Sequence, residues 1–540
     1  MSGGAVNLVW VMLGCQSAPD LDSVEEASPQ QLLRRLSLDL RGKLPSKEEL
    51  DRVVVSPEDL NQLRDEFLHS PLMKERVVDW YGEQWHTLID VFDVVHTDYY
   101  LSDDEEYAFE RAVGEEPLRL VASVLSEDQH YSRIVTAEYT VANALLASIW
   151  PLELNQSETE EWQRATYTDG RPALGILSTN GLWWRYTTDE SNMNRGRAAA
   201  ISRILLCEDP LIRPVSFSTL DIEDPSDNSV ETTIQSNPAC QSCHATLDPL
   251  ASSLFGFWWL ELYSAIEHSQ YHPEREFLGS EYLGVEMSYF GSPMQGFSDL
   301  GGHIAADSRL YTCAVKTIAK ALWKRPIQDD DAATLHEIWK RFAASNFSSH
   351  ELIRAVTDTP EYRTGYLSDD MSETERSKYR DLRMMSTDLF ATAVEDLTGY
   401  RWTVDGFDLL RSDEYGYRTL IGGLDGLEVY APLSEPSVSW ALASKRFTQQ
   451  AAAHVVFEDL EGSGEPKMLT KVTLDTVPTD PEFTEQLQDI HLQIFGTLPE
   501  DAWLTESIEL WQAVYEQSDS KRAWASVISV ALREPGFLFY

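Results

Sequence analysis

The chain has 540 residues, too many for one simple core, so several domains are expected. Hydrophobic residues make up 43% and there are 16 tryptophans, which excludes wholesale disorder. Acidic residues outnumber basic ones 89 to 43, a formal charge of −46. Such a surface repels phosphate, so nucleic acid and anionic lipid are poor partners. A basic protein or metal ions would be drawn to it, though the same charge also serves simply for hydration.

The chain opens MSGGAVNLVWVMLGCQSAPDLDS. An apolar run from Ala5 to Leu13 meets Gly14-Cys15 and then a polar, acidic stretch, which resembles a bacterial lipoprotein signal with Cys15 as the acylated residue. No basic residue precedes the run, and Met12 stands where leucine is usual. The run is too short to span a bilayer, which takes about 20 apolar residues. The expectation is an exported, lipid-anchored protein, in the periplasm or at the cell surface.

Most of the chain beyond this segment has helical periodicity, as in QQLLRRLSLDL, AVKTIAKALWKR and AATLHEIWKRFAASN. Pro45, Ser46 and Glu48-Glu49 mark a helix start. One pattern appears three times, over 33–73, 318–363 and 489–540. It has an amphipathic helix, an acidic turn with proline, further helix, then proline beside an apolar or aromatic residue. Residues 208–239 lack periodicity and hold four prolines, which predicts a surface loop. The stretch 366–380 is charged and reads as a linker. Gly422-Gly423 and Asp425-Gly426, among aromatic positions, predict turns and a few short strands between 400 and 435.

The loop leads into NPACQSCHATLDPLASSLFGFWW, with Cys240, Cys243 and His244 in the spacing C-x-x-C-H. Two thiols one helical turn apart suit the two vinyl groups of a porphyrin, and the adjacent imidazole suits its iron. A zinc site would need a second cysteine pair, which a chain with five cysteines lacks. A thioredoxin-like pair would follow a strand, and a disulfide between Cys240 and Cys243 would close a very small ring. One haem c is therefore expected, with thioethers at Cys240 and Cys243 and His244 as axial ligand.

For the sixth position Met294, in the glycine-rich loop FGSPMQGF, is preferred over Met287 and His303. Phe255, Phe257, Trp258 and Trp259 would either wall the haem from water or form ordinary core. Arg195 and Arg197 are candidates to neutralise propionates, or plain surface arginines. Cys207 and Cys313 flank the motif. An oxidising compartment favours a disulfide between them over two separate thiols.

LLRRLSLDLRGKLPSKEEL, VTAEYTVANALLASIW, NMNRGRAAAISRILLC, CQSCHATLDPL and CAVKTIAKALWKRP occur in an order that resembles a bacterial family. These are the planctomycete- and myxobacterium-type exported cytochrome-c-like proteins with tandem domains of unknown function and a single C-x-x-C-H. The resemblance covers roughly residues 30 to 365. It implies a mostly helical exported protein in which Cys240, Cys243 and His244 hold haem and Cys207 and Cys313 match recurrent cysteines. After Asp248-Pro249 the family usually continues with Gly-Phe and an acidic residue, where this chain reads LASSLFGFWW.

The expected fold class is mainly α, multi-domain, with a central cytochrome-c-like haem segment. The divisions are 1–29 signal and linker, 30–150 helical domain, 151–365 haem-binding domain, 366–380 linker and 381–540 C-terminal helical domain. The expected function is electron transfer to or from a basic extracytoplasmic redox partner. The alternatives are a haem peroxidase- or oxidase-like enzyme component and a surface scaffold in which haem is structural.

Overall fold

Ser28 and Ser46 each start a helix by reciprocal capping. Ser28 Oγ accepts from the Gln31 amide at 3.3 Å while the Gln31 side chain accepts from the Ser28 amide at 2.9 Å. Ser46 and Glu49 repeat the arrangement at 3.3 and 2.8 Å. The helices they start are Pro29–Arg41 and Lys47–Val55, the first ended by Gly42 at φ 72°. The structure, a computed structural model, describes residues 24–88, 96–155, 161–210, 238–259, 264–368, 371–380, 382–425, 429, 433 and 435–540. Cys15 lies outside the described residues, as does most of the loop expected at 208–239.

The fold is mainly helical with a few short strands. Each of the three similar stretches folds as successive helices followed by a proline-led helix start. The helices are Pro29–Arg41, Lys47–Val55 and Asp59–Leu68; then Ser308–Trp323, Ala332–Ala344 and Ser349–Thr357; then Pro481–Phe495, Asp501–Tyr515 and Ser520–Ala531. The proline-led helices are Leu72–Trp85 behind Pro71, Pro360–Arg363 and Pro535–Leu538.

Burial gathers the apolar residues of the described chain into two large clusters. One apolar cluster draws on residues from Ala27 to Tyr362, while Ala142, Leu146, Trp150 and Ala165 belong to a small separate one. A second cluster gathers Met385 to Tyr540 and takes in Leu38 and Leu44. The helix Pro29–Arg41 therefore serves both cores: Leu33, Leu36 and Leu40 face the first and Leu38 the second. That position explains why its polar residues Arg34, Arg35, Ser37 and Asp39 are buried as well.

Strands Thr403–Val404 and Phe407–Asp408 form a hairpin within the expected 400–435 region. The other strands lie elsewhere. Thr140–Ala142 and Leu152–Leu154 flank Gln163–Tyr167 in a three-stranded antiparallel sheet, and Ser288–Tyr289 pairs with Ser292–Pro293. Val24–Glu26 pairs with Thr364–Leu367, placing strand at both the first and second expected linkers. The second linker also carries a short helix, Glu373–Lys378. Among the described residues, no helix is long and apolar enough to cross a membrane.

Candidate haem-attachment site

Cys240, Cys243 and His244 lie on one helix, Pro238–Ser252, which packs against the helix Arg195–Leu206. Neither cysteine is in a disulfide, and both are half-buried. Cys243 packs at the edge of the first core, its sulfur 3.6 Å from the Pro210 carbonyl oxygen. Thr246 and Leu247 of this helix, with Ser202, Glu208, Asp209, Pro210 and Phe290, line a cavity of about 310 Å³. A larger cavity, about 590 Å³, lies instead between Arg34, His491, Trp503 and Tyr540 and takes no residue from the motif helix.

His244 is held by a carboxylate one helical turn on. Its Nδ1 lies 2.9 Å from Asp248 Oδ1. The same carboxylate receives Arg195 through Nε at 2.7 Å and Nη2 at 3.1 Å. A carboxylate accepts, so Nδ1 carries a hydrogen, and Nε2 is the nitrogen that the neutral ring would offer to a metal. The imidazole is 25% exposed and the Asp248 side chain only 8%. Burial pulls the Asp248 carboxyl up, but hydrogen bonds from His244 and Arg195 outweigh that and hold it below the ordinary aspartate value.

Arg195 is the first residue of its helix, and Cys207 caps the other end at φ 52°. Cys207 is disulfide-bonded to Cys313, in the helix Ser308–Trp323, with Cα atoms 5.2 Å apart. The disulfide thus anchors the helix that presents Arg195 to Asp248.

Arg195 is half-buried against Asp248, and Arg197 is buried among backbone carbonyls. Arg197 is fully buried and donates to the carbonyls of Tyr186 at 2.9 Å and Phe257 at 3.0 Å. Burial brings its pKa down to about 9. Beyond the motif, Phe255 stacks on Trp258 with centroids 5.0 Å apart, and Trp259 stacks on His268 at 4.0 Å. All four aromatics of this run are buried. A side chain at Gly256 would sit 2.2 Å from the Tyr271 ring, so the FGF turn needs glycine.

Met287 and Met294 close a hairpin, with the Met294 amide donating to the Met287 carbonyl at 3.1 Å. Its strand Ser288–Tyr289 packs against the motif helix. Met294 is buried, Met287 is half-buried, and His303 stacks on Tyr289 at 5.7 Å.

The donor set fits a covalent haem: two thiols one turn apart and outside any disulfide, and an imidazole whose Nε2 could take iron. Asp248 is visible in sequence only as part of an Asp-Pro pair. Its i+4 spacing from His244 is the signal that could have marked it as the histidine's partner. Among the described residues, one other group could hold a metal ion: His96, Glu106 and Glu110, whose ligand atoms lie within 4.8 Å of one another. His96 Nε2 lies 2.9 Å from Glu106 Oε1 there.

No curated protein and no solved structure matches this chain. Residues 13–166, which end before the C-x-x-C-H helix, are similar to the family described as PSCyt2, protein of unknown function (DUF1549), a match consistent with planctomycete-type proteins of tandem uncharacterised domains.

Proposed function

We propose that this is an exported c-type cytochrome-like protein that carries one covalent haem and passes electrons to or from a basic partner. The observation that carries the reading is His244. Its Nδ1 is tied to Asp248, while Cys240 and Cys243 lie outside any disulfide on the same helix. Cys240 and Cys243 would hold the haem through thioethers, each thiol adding across one vinyl group so that attachment would consume no oxidant. His244 offers Nε2 to iron, and Met294, on the hairpin against the motif helix, is the proposed sixth ligand. Held there, the haem supplies one-electron transfer.

The Cys207–Cys313 disulfide supports an oxidising compartment, and the N-terminal pattern at Cys15 supports a lipid anchor outside the cytoplasm. A charge of −46 supports docking of a cationic partner.

The test is production in a host with cytochrome c maturation, followed by intact mass and a pyridine haemochrome spectrum. One haem per chain is expected, lost in the Cys240→Ala/Cys243→Ala variant. A colourless product with both sulfurs free or joined to each other overturns the reading. Electron transfer to a basic cytochrome should slow as salt rises, and indifference to salt removes the docking proposal.

A further inference from the structure

Resting on the haem reading, we propose that Asp248 and Arg195 are positioning residues that set the electron-transfer potential of iron bound at His244. Asp248 fixes the imidazole and strengthens it as a donor, lowering the potential, and Arg195 limits how far.

The geometry separates this from an ordinary ion pair between helices. An ion pair between Arg195 and Asp248 would hold the two helices together with no histidine involved. Here Asp248 Oδ1 is shared, accepting from Arg195 Nε at 2.7 Å and facing His244 Nδ1 at 2.9 Å. His244 and Asp248 are four residues apart on one helix, so their alignment needs no other element. The Asp248 side chain is almost fully withdrawn from water, which leaves its charge little screened.

A carboxylate accepting from Nδ1–H does two things to a ligating histidine. It fixes the tautomer and ring plane, and it pushes electron density towards Nε2. A more basic axial nitrogen stabilises ferric over ferrous iron, so the potential falls. Arg195 acts in the opposite sense. Its guanidinium draws the same carboxylate's charge to itself and weakens the pull on the imidazole proton. The pair therefore sets the potential between two limits, and removing either member should move it in a predictable direction.

The disulfide makes this setting rigid. Arg195 begins the helix that Cys207 ends, and Cys207 is bonded to Cys313 in the helix Ser308–Trp323.

The experiment is equilibrium redox titration of the haem-loaded full chain, with pyridine haemochrome loading and thermal melts in parallel. Asp248→Asn is expected to retain haem and to raise the potential. The ferrous-to-ferric ratio at a fixed solution potential should rise about tenfold, or about 59 mV for one electron. Arg195→Gln is expected to lower the potential, and Arg195→Lys to restore part of it. A purely structural role would lower melting temperature and leave both potentials in place. That result, or two shifts of the same sign, overturns the proposal. Should Asp248→Asn not fold, the sign of the Arg195→Gln shift still decides. A wild-type chain without haem overturns both this proposal and the cytochrome reading, whereas loaded chains with unmoved potentials overturn this one alone.

Discussion

The phenol of Tyr540 donates to Asp39 Oδ1 at 2.7 Å, across 501 positions of chain. The other oxygen of the same carboxylate accepts from Tyr362 at 3.0 Å. Beside it, Arg34 donates to the carbonyls of Gly536 and Phe537 at 2.8 and 3.0 Å. Arg35 donates to those of Tyr362 and Thr364 at 2.6 and 2.9 Å. One helix thus receives the ends of the second and third similar stretches through two adjacent arginines and one aspartate.

That arrangement makes Asp39 a keystone between the two cores. Tyr540→Phe removes one hydrogen bond to a charged group and should cost about 1.5–3 kcal/mol. Asp39→Ala should cost more, about 3–5 kcal/mol. It leaves both phenols and the fully buried Arg383, 3.9 Å away, without their carboxylate. Urea unfolding checks both, read as a lower midpoint at unchanged slope. Haem content should not change in either.

The disulfide between Cys207 and Cys313 closes a loop of 106 residues that contains the whole motif. Loop-closure entropy puts its contribution at about 4–5 kcal/mol. Cys207→Ser/Cys313→Ser should lower the melting temperature and sensitise the segment between them to protease. Equal stability of the double variant would show that helix packing alone holds the segment.

Local signals made part of this legible in the sequence. Ser46 and Glu49 are three residues apart and fix a helix start without tertiary help. Cys240, Cys243 and His244 are nearly contiguous, so their grouping needs only a helix. The hairpin at Thr403–Asp408 turns at Asp405 and Gly406, both with positive φ, which is the Asp-Gly turn signature. Three-residue strands such as Thr140–Ala142 are too short to display a period, and their partners lie beyond a helix. Arg195 reads in sequence as a free cation because its carboxylate lies 53 residues on. Asp39, with partners more than 300 residues away, gives no local sign at all.

His86 should make the protein sensitive to mild acid. Burial, and then the nearby charges of Arg185, Arg203 and Lys320, bring its pKa down from 6.5 to about 4. The unfolded chain therefore binds more protons in that interval. Stability present above 6.5 is lost as pH falls towards 4, on the order of 3 kcal/mol. Asp79, which lines the same small cavity, works in the opposite sense. Burial raises it to about 6, so its contribution is lost as pH rises from 3.8. The difference between wild type and His86→Asn isolates the histidine, since Asn also tolerates the positive φ of 53° found there. Unfolding midpoints of the two should diverge between neutral pH and 4.5, with the variant flatter; parallel curves would assign the acid response to other groups.

Met294 offers the sharpest test of what the haem is for. It is buried on a hairpin that packs against the motif helix, where Met287 lies at the opposite strand end. Thioether ligation raises the potential of a histidine-ligated haem, while a carboxylate behind the histidine lowers it. On the proposed haem reading with Met294 as ligand, the two influences would oppose each other and the potential would be intermediate. Met294→Leu conserves volume, so it should cost less than about 1.5 kcal/mol and leave both thioethers in place. It should abolish the long-wavelength iron–thioether absorption, lower the potential and open the iron to cyanide. Met287→Leu should do none of these. If Met294→Leu leaves the spectrum unchanged and the wild-type haem already binds cyanide rapidly, the sixth position is open. Peroxide chemistry at a haem held by His244 would then be a better account than electron transfer.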